Sequence, residues 1–304
     1  MRAAVIILAL IHLPVVLAGY LAPYDYAEQH RAYPYAPPAR VHFDPRPFVY
    51  NENLTHKYRI HFFTSGRLFS VDSGGTVFLL GTDGYGRDVF SRLLYGGRIS
   101  LAAGVLAAGI ALLIGLVCGT VSGFCGGWTD RLIMRVADLF LALPWLYLLL
   151  AVRAFLPLHI SPGQAFLLLV AVIGSVGWVR PGRLVRGLVL SLKERAYVEA
   201  AKGFGGRPLY LVRRHILPET RGLLLTQATI LIPQFVLAEV TLSFLGLGIG
   251  EPVPSWGSML ADARQYQSLV SHLWMLTPGL ATFAVVLGYI LLADKVQENS
   301  AGMP

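Results

Sequence analysis

Apolar positions gather in six runs, at residues 3–21, 99–127, 132–156, 164–178, 223–247 and 273–292. A helix needs about 20 predominantly apolar residues to cross the ~30 Å hydrocarbon core of a bilayer. The pattern therefore predicts an all-α polytopic membrane protein with six transmembrane helices. The first run carries His12 and Pro14, and its competing reading is a cleaved signal peptide, with Arg2 ahead of it and Leu17, Ala18 and Gly19 near its end. In the second run Gly104, Gly109, Gly115 and Gly119 recur at roughly four-residue spacing. Small residues so placed let helices approach closely in lipid, with ordinary helix flexibility as the alternative. Pro144 predicts a kink in the third run, and the fifth contains Pro233 and the ionisable Glu239.

The polar intervals are unequal. Residues 22–98 open on a Pro- and Tyr-rich stretch that excludes a continuous helix. Alternating apolar and polar positions at 58–63 and again near 76–80 predict short strands. The interval closes on a glycine-punctuated turn, residues 81–88, followed by a short amphipathic helix at 89–95. That turn has no Gly-Lys-Ser/Thr to make it a phosphate cradle. Residues 128–135 read as a short polar connection, 157–162 as a tight turn, and 248–271 as a partly re-entrant or interfacial loop. The plan is thus a first transmembrane helix over 1–21, an extracytoplasmic segment over 22–98, a membrane core over 99–296 containing a long polar loop at 193–219, and a tail over 297–304.

Composition agrees with the apolar runs. Charged residues are 14% of the chain and hydrophobic ones 55%, against roughly 25% charged in soluble proteins. The formal net charge of +8 follows the loops and forms no nucleic-acid-binding face. Residues 180–221 hold ten Lys and Arg against Glu194, Glu199 and Glu219, and Arg131 and Arg135 lie in the 128–135 turn. Basic residues in short loops mark the cytoplasmic side, which places both termini inside. Residues 22–98 fall outside despite nine basic residues, because long loops translocate largely regardless of charge. Cys118 and Cys125 lie within one apolar run and read as inert core thiols.

No nucleophile–base pair, nucleotide-binding motif or metal-ligand cluster stands out, and His42, His56 and His61 lack ligand-like companions. His12 reads as a tolerated or interhelical polar residue. Glu239 is costly in lipid and needs a partner or an aqueous cavity. It either lines a translocation path or braces a neighbouring broken helix. The 193–219 loop predicts a short helix at 196–204, with Tyr197, Ala200, Ala201 and Phe204 on one face. Glu199 lies in ion-pair register with Arg195 and Lys202. Gly203, Gly205 and Gly206 end that helix and Pro208 opens a second. Such a hairpin either fits a groove on a partner or is simply solvated.

Glu199-Ala200-Ala201, Gly205 six positions after the glutamate, and His215-Ile216-Leu217-Pro218 resemble the EAA loop of permease subunits of binding-protein-dependent ABC importers. Three further stretches are similar to the dipeptide, oligopeptide and nickel branch of that family. They are Gly81-Thr82-Asp83 with Gly86-Arg87-Asp88-Val89 running on to Gly96, the stretch 242–248 (LSFLGLG), and Pro254-Ser255-Trp256-Gly257 with Met259-Leu260. The resemblance covers about residues 78–296. It implies that residues 193–208 form a coupling helix seated in a cleft of a cytoplasmic ATPase subunit, with Glu199 making a charged contact and Gly205 permitting the turn. Ala200, Ala201, Leu217 and Pro218 complete the coupling set. It also implies a second homologous permease, two ABC ATPase subunits and an external solute-binding protein in a prokaryotic inner membrane. ATP and Mg would be used by the ATPase partners, with no cofactor held and no hydrolysis performed by this chain. The 22–78 segment matches no motif of the family.

Two other classes compete. A stand-alone secondary transporter would spread ionisable residues and inverted repeats through several spans, yet Glu239 is the one clear mid-span carboxylate in the sequence. A membrane-embedded enzyme would pair histidines or carboxylates within the spans. Within the favoured class, peptides lead, with nickel or another small solute open.

Overall fold

The computed structural model describes residues 2–44, 46–50, 57–64, 66–72, 75–154, 161–264 and 270–301. The chain is a helical polytopic membrane protein with a small β element outside the helical body. Helices α1 (Arg2–Val16) and α2 (Ala18–Leu21) precede strands β1 (His42–Asp44), β2 (Arg46–Tyr50), β3 (Lys57–Thr64) and β4 (Arg67–Val71). Then follow α3 (Val89–Cys125), α4 (Gly127–Ala142), α5 (Trp145–Ala154), α6 (Pro162–Gly177), α7 (Val179–Leu192), α8 (Ala196–Gly203) and α9 (Pro208–Leu211). The last elements are α10 (Thr220–Phe244), α11 (Trp256–Asp262) and α12 (Thr277–Ala301).

Among the described residues, Val89–Cys125, Pro208–Phe244 and Leu273–Val296 are each long and apolar enough to cross a bilayer. Helices α6 and α7, bent by 41° at their junction, make a fourth if taken as one span, and α1 is a shorter apolar helix. Several expected boundaries move. Residues 89–95 do not form a separate helix but are the first two turns of the 37-residue α3, because Asp88 caps them and nothing interrupts the ladder beyond. Residues 128–135 are helical, being the start of α4. Residues 297–301 of the expected tail continue α12. The polar interval after residue 179 begins with a further helix, α7. Of the expected 157–162 turn, residues 157–160 lie outside the described residues.

Prolines explain two breaks. Leu143 precedes Pro144 and is extended, with φ −93° and ψ 137°. A residue before proline is pushed out of the helical region, so the third run becomes two helices rather than one kinked helix. Pro181 cannot donate to the carbonyl of Gly177, and its ring crowds that carbonyl, which places the α6–α7 bend at Trp178. Gly177 accommodates the bend closely: a Cβ there would sit 2.3 Å from the ring of Phe235.

Helix α3 is the spine. A Cβ on Gly115 would lie 2.9 Å from the Gly182 nitrogen, and one on Gly119 would lie 2.4 Å from the Gly182 carbonyl oxygen, so α7 meets α3 backbone to backbone. Gly104 does the same for α10, facing Val236 and the Ile232 carbonyl, whereas Gly109 faces open space. Ala103, Ala107 and Ala111 pack with Leu169, Ile173 and Phe235 of α6 and α10 in the main core. His12 of α1 donates from Nδ1 to Leu8 O, 2.9 Å away, and its Nε2 reaches Tyr289 Oη of α12 at 3.4 Å. Cys118 is half-buried, but Cys125 is exposed at the end of α3, so it is no core thiol.

Outside, β1–β4 form an antiparallel sheet in sequence order. The strand expected at 58–63 is β3; β1, β2 and β4 were not anticipated, and none forms at 76–80. There Val77 instead enters the sheet core with Val49, Ile60 and Phe69, and its N–H donates to Tyr24 Oη at 2.9 Å. The 81–88 turn ties this segment to the helices. Gly86, at φ +72°, would place a Cβ 2.1 Å from His30 O. Arg87 donates to Asp83 and Glu251, both at 2.6 Å, while the fully buried Arg92 reaches Glu251 at 3.3 Å. Asp88 accepts from Ser91 N at 2.8 Å, and burial pushes its carboxyl up to about 6.

Two outcomes follow from this packing. Gly119→Leu lowers the thermal midpoint of the detergent-solubilised subunit, since overpacking costs about 1–3 kcal/mol or more, while Gly109→Leu leaves it unchanged. The folded Asp88 holds its proton up to about pH 6, whereas an unfolded Asp releases it near 3.8. The fold then binds more protons than the unfolded chain between those values, and its stability falls as pH rises across that window. Asp88→Asn flattens that dependence and stabilises the fold at neutral pH by an amount on the order of 1–3 kcal/mol, raising the midpoint there. Thermal unfolding from pH 4 to 7.5 checks both.

Candidate functional site

Residues 193–219 form the predicted helix, glycine turn and second helix. Arg195 is extended, and its carbonyl starts α8 by accepting from Val198 N and Glu199 N. Val198, 3% exposed, is the one buried side chain of α8. Glu199 and Ala200 are exposed and Ala201 half-exposed. Tyr197 and Phe204 are both exposed, Phe204 at 93%. This apolar face is therefore presented outward and not folded onto the chain. Among the described residues Glu199 makes no ion pair with Arg195 or Lys202, so the ion-pair ladder expected there is absent.

The turn needs its glycines. Gly205 has φ +83°, which β-carbon-bearing residues avoid, and its N–H donates to Lys202 O at 3.0 Å. A Cβ on Gly206 would come within 2.6 Å of Ala201 O. Pro208 then opens α9 at its first position, where its missing N–H costs nothing. The chain continues through a wide turn at Val212–Ile216 and a tight one at Leu217–Glu219, which lead into α10. Leu217 and Pro218 are half-buried in that passage, and Leu217 O accepts from Thr220 Oγ1 at 2.8 Å. His215 stands between the rings of Tyr197 and Tyr210, tying the two arms together.

The hairpin has a rigid base. Ile216 packs with Val185, Val189 and Leu192 of α7, all buried. Lys193 Nζ donates to Gly123 O of α3 at 3.2 Å. Arg186 grips Asp130 of α4 with two hydrogen bonds of 2.6 Å, and Ser122 of α3 bonds the same carboxylate. The Arg186 hydrogen bonds hold the Asp130 carboxyl down to about 2. One turn away, Arg183 pairs with Asp138. These clamps escaped the sequence reading, which used the arginines only to set orientation. Their 180, 183, 186 spacing on one amphipathic helix was the available signal.

Glu239 lies elsewhere. It is 0% exposed, accepts from Ser243 Oγ at 2.6 Å, and has the hydroxyls of Ser100 and Ser255 beside it. Ser255 caps α11, and the next residue, Trp256, donates its backbone N–H to Ser100 Oγ and its indole N–H to Leu93 O. The carboxyl thus sits where α3, α10 and α11 meet. Gly257 lets that meeting occur, since a Cβ there would be 2.3 Å from Val240 O. The 242–248 motif ends α10: Gly246 at φ +81° and Leu247 donate back to Ser243 and Leu242 in a Schellman closure.

A cavity of about 600 Å³ opens between α4, α6, α7 and α10. Phe140, Leu143, Trp145, Gly177, Arg180 and Phe235 line it, and Glu239 does not. The Leu143–Pro144 break and the α6–α7 bend both fall on its wall, so the proline-induced breaks create the space.

Residues 111–300 match the family described as the binding-protein-dependent transport system inner membrane component. The chain belongs to this family of permeases. Over 219 residues, 72% of this permease, it is 38% identical to the glutathione transport system permease protein GsiD of Pectobacterium atrosepticum, covering 70% of that protein. It is also 38% identical to the dipeptide transport system permease protein DppC of Bacillus subtilis and 36% identical to the oligopeptide transport system permease protein OppC of the same organism, covering 66% and 69% of them. The fold is shared with the MetNI methionine ABC transporter in an inward-facing form, at a TM-score of 0.52 and 19% identity, over 68% of this permease and 97% of that chain. This is an ABC importer permease of the peptide family and an inner-membrane protein.

Proposed function

We propose that this permease forms half of the translocation path of an ATP-driven importer for short peptides and that residues 193–219 receive the force of cytoplasmic ATPase subunits. The observation that carries the reading is the outward-facing α8 surface, with Glu199, Tyr197 and Phe204 exposed on a hairpin clamped to α3 and α4. A solvated hairpin has no need to expose that much aromatic surface. The glutathione, dipeptide and oligopeptide systems named for its relatives support peptides as cargo over nickel.

In this reading six spans put both termini and the hairpin in the cytoplasm. Helix α1, the broken α4–α5 and the bent α6–α7 pair would supply the spans beyond the three long ones. The assembly would comprise this chain, a second homologous permease, two ABC ATPase subunits that use ATP and Mg, and an extracytoplasmic solute-binding protein. When ATP draws the ATPases together, α8 moves inward. The Arg186–Asp130 and Lys193–Gly123 contacts then carry that motion into α7 and α3, and so to the cavity wall. The chain itself would hydrolyse nothing and hold no cofactor. Residues 22–98 would face the binding protein, with the Arg87–Glu251 and Arg92–Glu251 pairs anchoring them to the 251–262 region of the core.

Glu199→Lys reverses the charge on the proposed docking face, and Gly205→Pro cannot adopt φ +83°. Each is expected to abolish ATP-dependent uptake while the subunit still inserts. Uptake into proteoliposomes of the complete transporter, with membrane insertion followed in parallel, checks this; persistence of transport in both variants overturns the coupling role.

A further inference from the structure

We infer that Arg180 is a cargo-binding residue that takes the free carboxylate of a peptide as it passes through the cavity between α4, α6, α7 and α10. The inference rests on the peptide-importer reading and adds to it a named residue and a chemical group. Helix α7 carries three arginines at three-residue spacing, and two of them are spoken for. Arg183 pairs with Asp138, and Arg186 holds Asp130 through two hydrogen bonds of 2.6 Å. Arg180, the innermost of the three along the α6–α7 pair, is exposed and makes no hydrogen bond or ion pair with any described residue.

Its surroundings make that isolation informative. The neighbouring Pro181 and Gly182 pack on Gly115, ten residues before α3 ends at Cys125. At 1.5 Å per residue that is about 15 Å along the spine from its end. An unpaired guanidinium where two helices pack is satisfied by water or by an anionic ligand. Arg180 lines the 600 Å³ cavity, where its polar companions are Gln234 and Thr241 and no Asp or Glu is present. The remaining wall is apolar and aromatic, with Trp145 stacked on Phe235 at 5.9 Å and 11°. The volume falls within the roughly 300–1,000 Å³ of small-molecule sites.

The chemistry matches a short peptide end on. A planar guanidinium with free donors pairs bidentately with a carboxylate, while aromatic walls accept side chains of varied shape. Glutamine and threonine add hydrogen bonds without a second charge. A passage site should hold its cargo weakly enough to release it, and a solvent-accessible cation serves that end better than a buried one.

The test is uptake by the complete transporter in proteoliposomes, with saturating binding protein preloaded with either a tripeptide or its C-terminal amide. Preloading separates passage from capture. The unmodified transporter is expected to move the acid faster than the amide. Arg180→Gln should lower uptake of the acid roughly tenfold, to the level of the amide, as expected for loss of a charge-assisted hydrogen bond. Arg180→Lys should keep part of the preference, and ATP hydrolysis should persist in both variants. An acid-to-amide ratio unchanged in Arg180→Gln overturns the assignment. So does an equal loss of both peptides, or loss of the second permease on purification, which would make Arg180 an interface residue instead. If the unmodified transporter moves neither peptide, the peptide reading itself fails and this assignment falls with it.

Discussion

Close approach of α7 to α3 is the constraint on which the rest of the structure depends. Gly115, Gly119 and Gly123 give α3 a face without side chains, and any Cβ there would collide with the backbone or with Val185 and Val189 of α7. In lipid, where burial of apolar surface gives no net drive between helices, such contact is a main source of cohesion. Once α7 is seated, its arginines reach Asp130 and Asp138 of α4, and Leu192 with Ile216 forms the floor under the hairpin. Cavity wall and hairpin are thereby parts of one body.

The breaks in the helices have the opposite role. Pro144 and Pro181 each remove a backbone hydrogen bond, and the helices separate around the space they leave. Glu239 lies apart from these breaks: buried among Ser100, Ser243 and Ser255, it joins α10 to the start of α11. Removing a buried acid from such a knot leaves several hydroxyls unsatisfied, and that cost is what a bracing role implies.

Much of this was legible in the residues. The hairpin could be read because Gly205, Gly206 and Pro208 are local determinants, each answering to its own backbone geometry. The long apolar runs of α3, α10 and α12 were equally plain. What failed was where local rules compete. Asp88 caps α3 well before the apolar run begins at residue 99, so the helix starts earlier than hydropathy alone indicates. The strand expected at 76–80 does not form, because Val77 is needed as a plug for the sheet and not as part of it. The Arg186–Asp130 and Arg87–Glu251 pairs join residues 56 and 164 positions apart, and no periodicity reports such partners.

If α7, α3 and α4 move as one body, the Arg186–Asp130 pair carries force from the hairpin to the cavity. A charge exchange tests this most directly, by measuring peptide transported per ATP hydrolysed in the reconstituted transporter. Arg186→Asp and Asp130→Arg should each uncouple hydrolysis from uptake, and the double variant should recover a large part of the ratio. Normal coupling in either single variant, or no recovery in the double, would contradict the account.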